Sequence, residues 1–163
     1  MKTIGNEANM VKDVQQKLSI VVDLSNILYQ GNGSKAKMAN FRLVRQALDK
    51  EYPSASIFYL ADANTRHKID ERAAYDDLCN DGTIIQTPAG EQADHYLLAY
   101  AARILNCVVI SCDRFKDHHI ADDLSRRIVP VVIIGDQVIF SRKLTEFVAP
   151  AHGSPIITRT INM

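Results

Sequence analysis

The chain has 163 residues, 47% of them hydrophobic, and its nineteen basic residues balance nineteen acidic ones. This length predicts one domain, which we place across residues 1–163. It is long enough to bury a substantial hydrophobic core. The balanced charge excludes an overall basic field for nucleic acid. No apolar run reaches the ~18 residues of a membrane helix, and the N-terminus lacks the apolar region of a signal peptide. With three cysteines and no CxxC pair, we expect buried free thiols and a cytoplasmic protein.

The first half of the chain alternates apolar β-branched runs with segments of helical periodicity. Residues 19–24 are mostly Ile and Val and predict a buried strand. Residues 38–50 predict an amphipathic helix, and residues 55–61 predict a second strand. A further helix is predicted over residues 69–80, with Gly82 ending it.

The second half continues the alternation. The pattern predicts a short strand over residues 83–86, the clearest helix over 91–105 and a fourth strand over 107–112. A short helix is predicted over 118–126, and two late strands around a Gly-Asp turn within 130–140 predict a hairpin. The alternation of predicted strands and helices along the chain predicts an α/β fold. We expect a doubly wound, mainly parallel sheet with helices on both faces. No GxGxxG or GxxxxGK[ST] follows the first strand, which argues against dinucleotide binding and P-loop chemistry.

Three acidic side chains fall at the ends of these elements. Asp23 ends the first strand, Asp94 opens the long helix and Asp113 follows the fourth strand. Because the carboxyl ends of parallel strands meet at one edge of a sheet, we expect these carboxylates to converge. Converging carboxylates repel one another unless a cation neutralises them, and Mg²⁺ or Mn²⁺ prefers oxygen ligands. The sequence therefore predicts metal-dependent phosphodiester chemistry.

Several segments, in this order and spacing, resemble the PIN-like nucleases and most closely their NYN branch. The resemblance covers residues from about 18 to 145 and implies the three-layer fold of that superfamily, with extensions at both termini. The similar segments are residues 21–26 (VVDLSN), 61–67 (ADANTRH), 91–94 (EQAD), 111–117 (SCDRFKD) and 132–139 (VIIGDQVI).

The resemblance implies an endoribonuclease that hydrolyses single-stranded RNA with Mg²⁺ or Mn²⁺ and leaves a 5′-phosphate. Asp23, Asp94 and Asp113 match the carboxylates that hold the metal. Asn26 matches the asparagine that helps to hold metal-bound water, and Asp117 matches a second aspartate after the fourth strand that also serves the metal. A helical turn between Asp113 and Asp117 would place both on one side.

One position departs from the NYN pattern. NYN ribonucleases often carry paired aspartates at the start of the long helix, and here the second position is His95. The substitution lowers the negative charge and leaves a one-metal site and a weakly bound two-metal site both open. His95 itself is open to three readings: a proton donor, a phosphate ligand or an ordinary solvated side chain.

Basic side chains near the predicted edge are candidates for binding RNA phosphates, and the best placed are Arg66, Arg114 and Lys116. The chain has no Trp, and its aromatic residues form no evident stacking platform. Target selectivity would then come from RNA shape, a protein partner or a homo-oligomer. Because PIN-like toxins are small single-domain proteins, an antitoxin is one such partner.

Structural alternatives exist for each candidate. Asp23 and Asn26 are both good helix N-caps, Asp94 could stabilise a helix N-terminus, and Asp62 could either join the acidic edge or cap a segment. A catalytically inactive PIN-like module that binds RNA or protein is the alternative function. A phosphatase or receiver domain is a third, but a phosphatase of the haloacid-dehalogenase type needs an aspartate where this chain has Ser25.

Overall fold

The computed structural model describes residues 17–31 and 33–147, so the predicted terminal extensions fall, apart from Lys17, outside the described residues. The strands are β1 (Ser19–Asp23), β2 (Ser56–Ala61), β3 (Ile84–Gln86), β4 (Cys107–Ile110), β5 (Ile128–Val129), β6 (Val131–Ile134) and β7 (Gln137–Phe140). The helices are α1 (Leu24–Leu28), α2 (Met38–Glu51), α3 (Thr65–Lys68), α4 (Arg72–Asn80), α5 (Ala93–Arg103) and α6 (Asp122–Arg126), followed by a 3-10 helix (Leu144–Phe147).

Five strands form one parallel sheet in the order β3-β2-β1-β4-β5, which confirms the predicted α/β architecture. Strand β1 is central, and both β1 and β4 are apolar and buried, as strands covered on both faces must be. In the register, Asp23 pairs with Leu60 and Val22 pairs with Ile110. The residues that follow Asp23, Ala61 and Ile110 therefore lie at one edge of the sheet.

Two hydrophobic clusters lie on opposite faces of this sheet and make the fold three-layered. The larger cluster combines alternate residues of the central strands with apolar side chains of α1, α2 and α4. The smaller cluster places α5, α6 and the ring of Phe115 against the other face. All three cysteines are free, as expected, but only Cys107 is buried, whereas Cys79 is partly buried and Cys112 is exposed. No helix in the described ranges is long and apolar enough to cross a membrane.

The predicted hairpin is confirmed as an antiparallel pair of β6 and β7, which forms a separate two-stranded sheet. Four other elements were not predicted: α1, α3, β5 and the 3-10 helix. Each has between two and five residues, which is too short for hydrophobic periodicity to register.

Two predicted helix starts are wrong. Helix α4 begins at Arg72 and not at residue 69, because Ile69 forms a parallel bridge to Ala36 and is held in extended conformation. Helix α6 begins at Asp122 and not at residue 118, because the preceding residue, Ala121, is extended. In both cases the hydrophobic pattern extends the helix over residues whose backbone is extended in the folded protein. The sequence pattern does not reveal that conformation.

Candidate functional site

The carboxyl edge of the parallel sheet carries the three predicted carboxylates, hereafter the carboxylate cluster of Asp23, Asp94 and Asp113. Asp23 is the last residue of β1 and is only 1% exposed. Asp94 is the second residue of α5 and is partly buried, whereas Asp113 is exposed in the loop after β4. The fold thus delivers a carboxylate from each of three different segments to this edge.

Two donors hold the Asp23 carboxylate in place. The Oγ of Ser111 donates to Asp23 Oδ2 at 2.6 Å, and the Nδ2 of Asn26 donates to the same oxygen at 2.7 Å. Asp23 stands at the N-cap position of α1 without a side-chain capping bond of normal geometry, although the backbone N–H of Asn26 is among the groups that lower the pKa of its carboxyl. Asn26 lies within α1, where it serves Asp23 and does not cap the helix.

The environment of Asp23 favours its protonated form. Burial raises the pKa of Asp23 to about 6, against the opposing effect of the hydrogen bonds from Ser111 and Asn26. The charge of Asp94 raises the pKa of Asp23 further. Keeping a carboxylate out of water at the end of a central strand costs folding free energy. Carboxylates with such a perturbed pKa are typical of functional sites.

Asp94 is the electrostatic centre of the cluster. Burial is the largest cause that raises its pKa, and repulsion from Asp113 is the next. The imidazole of His118 acts in the opposite direction, the charge of Asp62 raises the pKa again, and His95 lowers it. Since Asp94 is coupled to both Asp23 and Asp113, the three carboxylates share one electrostatic site.

A strained turn positions Asp113. Its Oδ1 accepts a hydrogen bond from the backbone N–H of Phe115 at 2.8 Å, and its own N–H donates to Ser111 Oγ at 3.0 Å. Phe115 has a φ of 48°, in the left-handed region that bulky residues avoid. Its buried ring in the smaller cluster holds this conformation, so packing keeps Asp113 beside the sheet.

Asp117 is not placed as predicted. Residues 113–117 contain no helix, and the predicted helical turn that would align Asp117 with Asp113 is wrong. Asp117 is exposed, and it is not among the largest causes that shift the pKa of Asp23 or Asp94. Its role at a metal stays a prediction.

His118 is a site residue that the sequence did not identify. Its Nε2 lies 3.7 Å from Asp94 Oδ2, and its ring meets the ring of His95 edge to face at a centroid distance of 5.2 Å. His95, which replaces the expected second aspartate, is exposed. It lies beside the carboxylate cluster, since its charge is among those that lower the pKa of Asp94. The only sequence signal was the pair of histidines directly after Asp117.

Asp62 joins the edge through a structural role. Its Oδ1 accepts the N–H of Ala93, the first residue of α5, at 2.7 Å, and so caps that helix from a different segment. The N–H of Asp62 donates to Ser25 Oγ at 2.8 Å. These two bonds tie the loop after β2 to the start of α1 and to the helix that carries Asp94.

The family described as the Zc3h12a-like Ribonuclease NYN domain matches residues 16–140, which is most of the chain. The chain belongs to this NYN ribonuclease family. The match confirms the resemblance to the PIN-like nuclease superfamily. It therefore argues against the phosphatase and receiver-domain alternatives. A search of curated proteins returned no match.

Basic side chains of this NYN domain differ in their availability. The guanidinium of Arg66 forms two bonds to Asp76, from Nε to Oδ1 at 2.6 Å and from Nη2 to Oδ2 at 2.8 Å. Arg114 and Lys116 are exposed and form no ion pair with the described part of the chain. Arg66 is therefore engaged within the protein, whereas Arg114 and Lys116 stay available beside Asp113.

PIN/NYN nucleases generally use divalent metals. The question for this site is whether its side chains offer the number and kind of ligand atoms that such an ion needs. Among residues 17–31 and 33–147, no three His, Cys, Asp or Glu side chains are grouped closely enough to hold one. The donor chemistry does fit, because the cluster offers carboxylate oxygens whose mutual repulsion a hard cation would relieve. The charge for metal binding is present, but the ligand geometry is not preformed.

Proposed function

We propose that this NYN domain is an endoribonuclease that hydrolyses phosphodiester bonds of single-stranded RNA with Mg²⁺ or Mn²⁺. The observation that carries the proposal is the electrostatic coupling of Asp23, Asp94 and Asp113 at the carboxyl edge of the sheet. Asp94 interacts unfavourably with the buried Asp23 and with Asp113, and such repulsion destabilises a fold unless a cation relieves it. Family membership supports the same chemistry.

Asp23, Asp94 and Asp113 would hold the cation, with Asp117 as a further candidate ligand. When bound, the cation supplies charge neutralisation at the phosphate and acidifies water for attack on phosphorus. Asp23 contributes a rigid ligand, since the side chains of Ser111 and Asn26 both donate to its Oδ2. Neither of these side chains binds Oδ1, so that oxygen can face the cation. Such preorganisation is usually a large part of catalysis by electrostatic stabilisation.

Asn26 has a second function in this proposal. Its Nδ2 is used by Asp23, while its Oδ1 takes part in no hydrogen bond with the described part of the chain. Asn26 is exposed, so the free amide oxygen accepts a hydrogen bond from a water molecule beside Asp23. The residue thereby orients water for in-line attack, and hydrolysis leaves a 5′-phosphate and a 3′-hydroxyl.

Binding of the cation requires a rearrangement, because the part of the chain that the structure describes holds no preformed ligand group. Asp113 is the side chain best suited to move, as it is exposed and only its Oδ1 is engaged, by the N–H of Phe115. Asp23 is buried and held by two donors, so it stays in place. We propose that Asp113 turns towards Asp23 and Asp94 when the metal binds.

RNA would approach along the loop that carries Asp113. Arg114 and Lys116 are exposed on either side of the buried Phe115, and both would contact backbone phosphates without reading sequence. Arg66 would join them only after leaving Asp76, so its contribution is expected to be smaller. The single strand is favoured because splayed bases can enter a shallow site.

Cleavage of a fluorescent single-stranded RNA tests the proposal. Wild type is incubated with Mn²⁺ or Mg²⁺, beside an EDTA sample, the Asp23→Asn/Asp113→Asn double variant and Asp77→Asn as a control. Asp77 is an exposed aspartate of α4 outside the site. We expect metal-dependent cutting by wild type and the control, and a loss of at least about 100-fold in the double variant.

Two other outcomes would contradict the nuclease. Cutting that survives both EDTA and the double variant would show a contaminant or a different site. Binding of RNA without any cutting would favour the alternative, an inactive PIN-like module, which His95 and the lack of a preformed ligand group both support. The same samples thus separate the enzyme from the binding module.

A further inference from the structure

A second recognition feature lies beside the carboxylate cluster. An open cleft of about 370 Å³ is bounded by α1, the loop after β2 and the residues before α5. We propose that this cleft binds one unstacked nucleobase of the RNA and prefers a base with an exocyclic amino group. The inference rests on the proposed function, since it gives that function a base preference.

The cleft and the carboxylate cluster are contiguous. Ser25 lines the cleft and stands in the chain between Asp23 and Asn26. Asp62 lines it too, and its charge is among those that raise the pKa of Asp94. An RNA phosphate held at the carboxylate cluster would therefore place a neighbouring base at the cleft.

Two side-chain amides in the cleft are free to bind a ligand. Asn64 and Gln92 occupy the N-cap positions of α3 and α5, yet neither makes a side-chain capping bond. Asp62 satisfies the first N–H of α5 in place of Gln92. Both amides are exposed and neither bonds to another described residue, so each offers a donor and an acceptor to a base edge.

The charge of the cleft favours a base over a phosphate. Its lining contains two carboxylates, those of Asp62 and Glu91, against one ammonium, that of Lys68. A lining with this excess of negative charge repels phosphate but accepts hydrogen bonds from an amino group. The Oδ2 of Asp62 is available for such a bond, because only Oδ1 is used by Ala93.

One aromatic ring completes the recognition chemistry. Tyr29 lines the cleft, and its ring is partly buried against the larger core cluster. Burial and then the charge of Asp62 raise the pKa of Tyr29, so its hydroxyl stays protonated at neutral pH. A fixed ring offers a face on which an unstacked base can stack, which the sequence did not reveal.

The test compares two matched ligands that differ at the base edge. Fluorescence anisotropy measures the binding of labelled cytidine and uridine heptamers in EDTA, where no metal-dependent cleavage occurs. Wild type is expected to bind the cytidine heptamer about tenfold more tightly. In the Asp62→Asn/Glu91→Gln double variant, which replaces both accepting carboxylates with amides of the same shape, the ratio should fall to about one. Asp77→Asn, at an exposed aspartate of α4 outside the cleft, should keep the wild-type ratio.

Equal affinity of wild type for the two heptamers, no binding of either, or a preference that persists in the double variant would overturn the cleft proposal. A parallel cleavage assay with Mn²⁺ separates this failure from failure of the nuclease. Base preference in EDTA without cleavage would refute the nuclease alone. Cleavage without base preference would refute the cleft alone.

Discussion

The hydroxyl of Ser111 donates to the carboxylate of Asp23 across a distance of 2.6 Å, and this bond joins the end of the central strand to the residue after β4. Both residues are buried. The same Ser111 oxygen accepts the N–H of Asp113. One serine therefore links the carboxylate of Asp23 to the backbone of Asp113, which leaves the Asp113 side chain able to turn.

Replacement of Ser111 by alanine should destabilise the fold and the site together. Asp23 would keep its burial but lose one of its two donors, so its pKa would rise further and its ionised form would cost more. We expect the free energy of unfolding at pH 7 to fall by about 1–3 kcal/mol. Urea titration measures this, with the exposed Ser54→Ala as the control. Equal stability of the two variants would show that the bond contributes nothing.

The raised pKa of Asp23 makes stability depend on pH with a definite sign. Below the unfolded value of 3.8 both states are protonated and there is no penalty. As pH rises towards about 6, the unfolded state ionises while the folded state retains its proton, so stability falls, and it levels off above that pH. The total loss is roughly 3 kcal/mol.

Asp23→Asn should remove this dependence while abolishing cleavage. The variant should gain stability relative to wild type progressively between pH 4 and about 6, because it carries no buried charge. Urea titrations of both proteins at several pH values give the difference directly. A difference that is the same at every pH would mean that Asp23 does not titrate in this range.

Added Mn²⁺ should stabilise the folded protein, since it relieves the repulsion among Asp23, Asp94 and Asp113. At a concentration about 100 times the dissociation constant, mass action predicts about 3 kcal/mol, or a rise in Tm of roughly 5–10 °C. Thermal unfolding with increasing Mn²⁺ measures the shift. Asp94→Asn should lose most of it, whereas Asp77→Asn should keep it. A shift of the same size in both variants would place the metal elsewhere.

Arg127 should be essential for stability. Its Nη1 donates to the carbonyls of Ala101, Ile104 and Cys107 at 2.9 to 3.0 Å, and so caps the end of α5 and the start of β4. Arg127→Ala would remove the side-chain donor from the buried carbonyls of Ala101 and Cys107, and we expect a loss of about 2–4 kcal/mol in urea titrations. The neighbouring Arg126 is exposed, and Arg126→Ala should change stability by less than about 0.5 kcal/mol. Similar losses in both variants would refute this role.

Much of the fold was predictable because its signals are local. The Ile and Val runs of β1 and β4, the periodicity of α2 and the Gly-Asp turn of the hairpin each act over a few residues. Elements of two to five residues, such as β5 and α1, have too few positions to show a period. Their existence depends on sheet pairing and burial.

The sequence by itself determined the alternation of the main strands and helices, the parallel sheet and the positions of Asp23, Asp94 and Asp113 at its carboxyl edge, because long apolar runs and strand ends follow from local composition. Only the tertiary structure decided which partners these groups have. The contacts of Ser111 with Asp23, of Asp62 with α5 and of His118 with Asp94 join residues between 24 and 88 positions apart. Such contacts depend on how the layers pack, and no local pattern encodes them.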